Sequence, residues 1–292
     1  MTRAVLLGLF DGVHTGHMTA LDALLRSGAD ERLVYTFSSD ELDTKGVRKL
    51  LLTDSEKEEK LLAAGADRVI FASFAGVREM SAEEFVSSQL IERLHADIVV
   101  CGENFRFGKG AAAGAGELGA ILSGHGKRLI SVPLRIDGGE PVSTTRIRGL
   151  IESERLKEAN RLLGYNYFLR GTVIHGASLG RRMGIRTINT TYDGCKLLPP
   201  DGVYSSDVEI AGRRYMGVTD IGVKPTVSQG SVRGVETHIL GFEDNIYDST
   251  VCIIFNDFYR REKKFDSRTA LIEQINADIS KRKEEGAAFA GE

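Results

Sequence analysis

The sequence predicts a parallel α/β domain followed by a small antiparallel β-barrel or sandwich and a C-terminal helix. Three observations carry this. The first half alternates nearly all-apolar runs of strand length with segments of helical periodicity, the pattern of a parallel sheet covered on both faces. The second half changes to short strands punctuated by glycine, as antiparallel sheets require. At 292 residues the chain is also long for one compact domain.

Taken in order, Ala4 to Phe10 is a continuous apolar run of strand length, and Met18, Leu21, Leu24 and Leu25 then recur at helical spacing. Residues 32–37 read as a second strand. Thr53 to Glu56 form a capping box that opens a helix ending near Gly65. Residues 67–72 are a third strand. A second capping box, Ser81 to Glu84, introduces a helix bearing Phe85, Leu90, Ile91 and Leu94. Residues 96–102 and 127–134 give the fourth and fifth strands. Residues 145–164 are helical and charged, and the linker is placed near 149–166, dividing a domain of residues 1–150 from one of 165–285. Residues 167–175, 202–210, 213–222, 234–242 and 250–260 then read as strands, with a hairpin turn at Ala211-Gly212. Leu271, Ile275 and Ile279 mark a final amphipathic helix, and the Lys- and Glu-rich tail, 281–292, reads as a frayed end.

Composition narrows the function classes. Apolar content of 42% and charged content of 27% are ordinary for a chain that buries real cores. A net charge of −3 argues against a nucleic acid as main partner, because backbone binding needs a basic face. A small phosphate pocket stays open, since it needs only a few donors. Cys101, Cys195 and Cys252 are far apart in sequence without metal spacing, which fits reduced thiols. Arg3 precedes an apolar stretch, but Asp11 and His14 interrupt it and no run spans a bilayer. The expectation is a cytoplasmic protein without a membrane partner, a monomer or weak homo-oligomer.

The stretch "GLFDGVHTGH", residues 8–17, lies between the first strand and the first helix. Such a turn exposes the helix's unpaired N–H groups and the positive end of its dipole, where phosphate oxygens bind. Gly12 and Gly16 would let backbone approach a triphosphate without a Cβ in the way. Gly8, Phe10 and Asp11 complete the bend. His14 and His17 would sit at the helix mouth and donate hydrogen bonds as charge builds on phosphoryl oxygens. Positioning and charge stabilisation are most of what phosphoryl-type transfer requires.

This stretch resembles the HxGH signature of the nucleotidyltransferase superfamily, which implies a Rossmann-like N-terminal domain. "VVCGENFRFGKG" (99–110) and "PVSTTRIRGLI" (141–151) are similar, in order and spacing, to the second and third motifs of the bacterial bifunctional riboflavin kinase/FMN adenylyltransferase family, the FAD synthetases. The resemblance implies nucleotide contacts at Asn104, Ser143, Thr144, Thr145 and Arg148. Short hydroxyls with one guanidinium do make a fork for triphosphate oxygens. Phe105 and Phe107 are either core aromatics or a stacking surface for flavin or adenine.

Residues from about 165 onward resemble the riboflavin kinase domain. "GTVIHGASLGRRMGIRTIN" (171–189) corresponds to that family's glycine-rich stretch, with Gly176, Gly180 and Gly184 on a loop. The resemblance implies that Thr187 and Asn189 hold Mg²⁺-ATP and that Glu236 takes the proton from the ribityl 5′-hydroxyl. A neutral alcohol attacking a γ-phosphate does need its proton accepted, and an oxygen-only donor set suits magnesium. His175 and His238 read as strand-surface or packed histidines. Two departures stand out: Arg186 replaces the family proline before Thr187, and "GYNY" (164–167) replaces Gly-Arg-Pro-Tyr.

The expected activity is therefore two ATP-dependent transfers, riboflavin to FMN and FMN to FAD with release of pyrophosphate. The alternatives are an FMN adenylyltransferase with a weakened kinase-like domain, and a non-catalytic flavin-binding protein. A cytidylyltransferase would share "FDGVHTGH" but predicts neither "GENFRFG" nor a C-terminal β domain.

Overall fold

The computed structural model describes residues 1–38, 49–176, 185–225 and 231–289. The chain divides into two compact units, Met1–Arg146 and Ile147–Glu292.

In the first unit β1 (Arg3–Leu7), β2 (Glu31–Phe37), β3 (Arg68–Ala72), β4 (Ile98–Gly102) and β5 (Arg128–Val132) form a parallel sheet in the order β3-β2-β1-β4-β5. Leu6 of β1 pairs with Val34 on one side and Val100 on the other. The middle of the sheet is apolar because both faces are covered, and Ala4, Val5 and Leu6 of β1 and Val99 and Val100 of β4 are fully buried. Helices α1 (Thr15–Leu25), α2 (Asp54–Ala63) and α3 (Ala115–Gly124) belong to this unit. Both expected capping boxes form, at Thr53 with Glu56 and at Ser81 with Glu84. After one turn the second of these helices continues in π form over Phe85–Arg93. The strand order reverses direction between β1 and β4, and in open α/β sheets the crevice at that switch point receives ligands.

The first strand is shorter than its apolar run. It stops at Leu7, and Leu9 is 48% exposed. Phe10 has φ +53° and Gly12 φ +86°, left-handed values that end extended pairing. Gly8 is needed here because a Cβ would lie 2.6 Å from the tip of the Phe10 ring folded over it.

Residues 145–164 are two helices, α4 (Thr144–Glu152) and α5 (Leu156–Leu163), separated at Glu154, whose φ is +66°. The boundary between the units falls within α4, between Arg146 and Ile147. In the second unit β6 (Phe168–Ile174), β7 (Thr187–Thr190), β8 (Gly202–Ile210), β9 (Arg213–Pro225), β10 (Ser231–Ile239) and β11 (Thr250–Arg260) close into an antiparallel barrel in the order β6-β7-β10-β9-β8-β11. Strand β7 has no counterpart among the strands expected from the sequence. Its four residues, Thr-Ile-Asn-Thr, carry no apolar alternation, and only pairing with β6 and β10 defines it. Buried Asn160 of α5 ties helix to barrel, donating to the Phe255 carbonyl at 2.9 Å and accepting the Tyr167 N–H at 2.8 Å.

The C-terminal tail corrects an expectation. Helix α6 (Arg268–Phe289) runs through most of the segment read as frayed. The most buried of its described side chains are polar: Asp278 and Arg282, one turn apart and each 6% exposed. Asp278 pairs with Arg260 at 2.7 Å, and Arg282 pairs with Asp207 and donates to the Ser206 carbonyl. Leu271, Ile275 and Ile279 are only half-buried. Paired charges therefore anchor the end that composition marked as solvated.

Candidate active sites

The first candidate site is the bend after β1. His14 is the N-cap of α1, and its Nδ1 accepts the backbone N–H of His17 at 3.3 Å. The His14 N–H donates to Nδ1 of His17, also at 3.3 Å. The two imidazoles form a reciprocal capping box of the kind serine and glutamate usually make. Their rings stack at 3.6 Å between centroids, and the Phe10 ring meets His17 edge-on at 5.2 Å. Each Nδ1 is an acceptor, so each ring carries its proton on Nε2.

Burial keeps the rings neutral. It lowers the His14 pKa to about 4, while burial and the neighbouring His14 hold His17 well below the usual value. His14 is 4% exposed, whereas His17 is half-buried. This has a consequence for stability. Between about 6.5 and 4 the unfolded chain binds protons at positions where the folded chain does not. The stability the neutral pair confers is complete above about pH 6.5 and drains away as pH falls towards 4. Replacing His14 by Asn keeps an N-capping side chain but removes one titration. Denaturant midpoints measured from pH 7.5 to 5 should fall less steeply in that variant.

The other expected residues of this site fall into two groups. The "STTR" run begins α4, where the Ser143 hydroxyl accepts the Arg146 N–H at 3.3 Å. The Thr144 hydroxyl donates to the Asp11 carbonyl at 2.9 Å, so the His-bearing bend and the start of α4 are tied together. Two helix N-termini thus lie beside one bend. The Asp11 carboxylate accepts the backbone N–H groups of Leu51 and Leu52 at 2.9 and 3.2 Å, a structural tie that composition alone did not suggest. Gly16 also has a local reason to be glycine: a Cβ there would lie 3.1 Å from the His14 ring and 3.3 Å from the Val142 carbonyl. Thr145 is exposed, and Arg148 is half-buried one helical turn beyond Thr144.

Asn104 is exposed just past the end of β4, the strand paired with β1. Phe107 is 7% exposed and lies in the hydrophobic core, its ring 5.6 Å from that of Phe85 and 5.8 Å from that of Phe105. Of the two phenylalanines, Phe105 is the one that retains surface. Arg106 and Arg146 serve neighbouring loops. Arg106 donates to the carbonyls of Ala111 and Ala112, and Arg146 to those of Asp137 and Glu140.

The second candidate site is a cleft in the barrel lined by Gly176, Arg186, Thr187, Asn189, Phe242 and Tyr247, among others. Pairing of β7 with β10 sets Asn189 opposite Glu236 and Thr187 opposite His238. The Thr187 hydroxyl donates to the Glu236 carboxylate. Gly176 admits no side chain, because a Cβ would lie 2.0 Å from the Asn189 amide nitrogen. Thr187, Asn189 and Glu236, separated by up to 49 positions in sequence, are thereby brought together. Below them, buried hydroxyls of Ser206, Thr219 and Thr237 run across three strands at 2.7 and 2.9 Å. Thr237 is itself among the residues that line the cleft. Gly180 and Gly184 lie outside the described residues. His238 is half-buried on the strand, and its Nδ1 donates to the Arg186 carbonyl at 2.7 Å. His175 is exposed and stacks on Tyr247 at 3.7 Å. The wall formed by residues 242–247 was not singled out from sequence, since its mixture of acidic, amide and aromatic side chains has no period.

Comparison with known proteins matches both halves. The family model described as FAD synthetase covers residues 2–146, and that described as riboflavin kinase covers residues 163–285. The bifunctional riboflavin kinase/FMN adenylyltransferase of Listeria monocytogenes is 32% identical over 95% of this chain and 90% of that protein. That of Pseudomonas fluorescens is 31% identical over 94% and 90%. A crystal structure from Streptococcus pneumoniae, described as a macrolide-efflux protein, is similar at a TM-score of 0.84 and 31% identity, covering 96% of this chain and 93% of that one. Among the described residues here, no helix is long and apolar enough to cross a membrane.

Proposed function

The chain belongs to the bifunctional riboflavin kinase/FMN adenylyltransferase family, and from that premise we propose how its residues divide the work. The protein is a transferase of FAD biosynthesis: it phosphorylates riboflavin to FMN and adenylylates FMN to FAD, each step with ATP.

Adenylyl transfer belongs to residues 1–150. A phosphate oxygen of FMN attacks the α-phosphorus of ATP, a P–O bond forms, and pyrophosphate departs with the electrons of the broken bond. The His17 Nε2–H, with that of His14 stacked behind it, donates to phosphoryl oxygens as they gain charge. The N-termini of α1 and α4 add unpaired N–H groups and favourable dipole ends. Ser143 and Thr144 shape the second of these, and Thr145 and Arg148 extend it. Asn104 and Phe105 come to the nucleotide or flavin from the end of β4. The observation that carries this reading is the Thr144-to-Asp11 hydrogen bond, which makes the two phosphate-binding turns one structure.

Riboflavin phosphorylation belongs to residues 165–285. The Glu236 carboxylate takes the 5′-hydroxyl proton as the new O–P bond forms to the γ-phosphate and ADP leaves. Thr187 and Asn189 hold the nucleotide end. The donors gathered here are hydroxyl, amide carbonyl and carboxylate oxygens, a set that fits a hard cation shared with substrate phosphates. Mg²⁺ bound with ATP would supply charge neutralisation on the β- and γ-oxygens. The protein's part is to place the alcohol and accept its proton.

The direct test is to incubate the protein with riboflavin, ATP and Mg²⁺ and resolve the products over time. FMN should appear first, then FAD with pyrophosphate. FAD made from added FMN but not from riboflavin would defeat the kinase assignment. Tight FMN binding without pyrophosphate release would favour the flavin-binding alternative.

A further inference from the structure

Resting on the assignment of the barrel cleft to riboflavin phosphorylation, we propose that Arg186 is a positioning residue that holds the 242–247 segment as a wall of that cleft. Arg186 directly precedes β7 and is held at both ends. Its backbone carbonyl accepts the His238 Nδ1–H at 2.7 Å, which fixes the residue to β10. Its side chain reaches 57 positions along the chain, donating from Nη1 to the Glu243 carbonyl at 2.6 Å.

The wall is a short excursion between two reversals. Gly241 has φ +69° and Asp248 φ +62°. The returning end is tied to β6, where Asp248 N–H donates to the Val173 carbonyl at 2.9 Å and Tyr247 stacks on His175. The near end meets Arg186 at Glu243. Phe242, Asp244, Asn245 and Ile246 line the same cleft as Thr187 and Asn189. Glu243, Asp244 and Asn245 are exposed, so the segment has little buried area of its own and sits at the low end of local stability. In such a segment one hydrogen bond from a charged donor is enough to change how often the wall is in place. A proline before Thr187 would stiffen the backbone but could not reach Glu243; here a side chain performs the restraint.

The test is Arg186→Ala beside Arg186→Lys, the lysine supplying a single donor for the single carbonyl. In Arg186→Ala, the KM of riboflavin phosphorylation for ATP, riboflavin or both should rise about tenfold while kcat changes less than about twofold, the mark of lost positioning. Hydrogen exchange across residues 242–247 should quicken in the same variant, and Arg186→Lys should restore much of both. FAD synthesis from supplied FMN, measured on the same preparations, should stay at the wild-type rate and shows that the chain is folded. Unchanged KM, or unaltered exchange across 242–247, overturns the proposal. Glu236→Gln is assayed in parallel: if it phosphorylates riboflavin at the wild-type rate, the assignment of the cleft fails, and not merely the role of Arg186.

Discussion

Replacing His17 by alanine should slow FAD formation from FMN by a factor of about 10² or more, the usual cost of deleting a donor aimed at developing charge. Riboflavin phosphorylation by the same protein should be unaffected. The size of the effect follows from the geometry. His17 is the more exposed ring of the pair, and its Nδ1 is already engaged by the His14 N–H. Its proton is therefore on Nε2, the nitrogen left for phosphoryl oxygens in the proposed role. The variant also loses half the box, a matter of about 1 kcal/mol in helix stability, too little to unfold a domain of this size. Steady-state assays of both half-reactions settle the matter. FAD formation within tenfold of wild type would remove His17 from the chemistry, whereas joint loss of both activities would signal a folding defect.

Replacing Glu236 by glutamine should lower FMN formation by about 10²- to 10⁴-fold, the range expected for losing a positioned base. The amide keeps the shape of the side chain and an oxygen for the Thr187 hydroxyl to reach, so the local pairing of β7 with β10 survives. What it loses is the ability to take a proton from an alcohol. FAD made from supplied FMN should continue at the wild-type rate. A Glu236→Gln protein that phosphorylates riboflavin at the wild-type rate would overturn the assignment of the cleft to this reaction.

The legible parts of this molecule are those whose cause is local. The capping boxes at Thr53 and Ser81 could be seen because both partners lie within four residues, and they form as expected. The buried strands showed as apolar runs. What could not be read depends on partners distant in sequence. Strand β7 is polar, and only its neighbours make it a strand. The tail looked solvated because its lysines and glutamates outnumber its apolar residues, yet Arg282 finds Asp207 75 positions away. At the first site, spacing placed His14 and His17 at the mouth of a helix but gave no sign that each caps the other. Gly16 was legible as room for a phosphate and Asp11 as part of the bend, and the structure gives both residues structural tasks as well. Glu236 was singled out through the family resemblance alone, and the register sets it opposite Asn189 and close to Thr187.

In the role proposed for them, the stacked imidazoles bear on how the enzyme turns over. Uncharged rings attract a resting polyphosphate only weakly; their pull grows as electron density shifts onto the oxygens they face and relaxes once cleavage is complete. An arginine in either place would clamp the spent pyrophosphate as firmly as the activated complex. By keeping these two groups uncharged, the bend would let the by-product of the proposed reaction go.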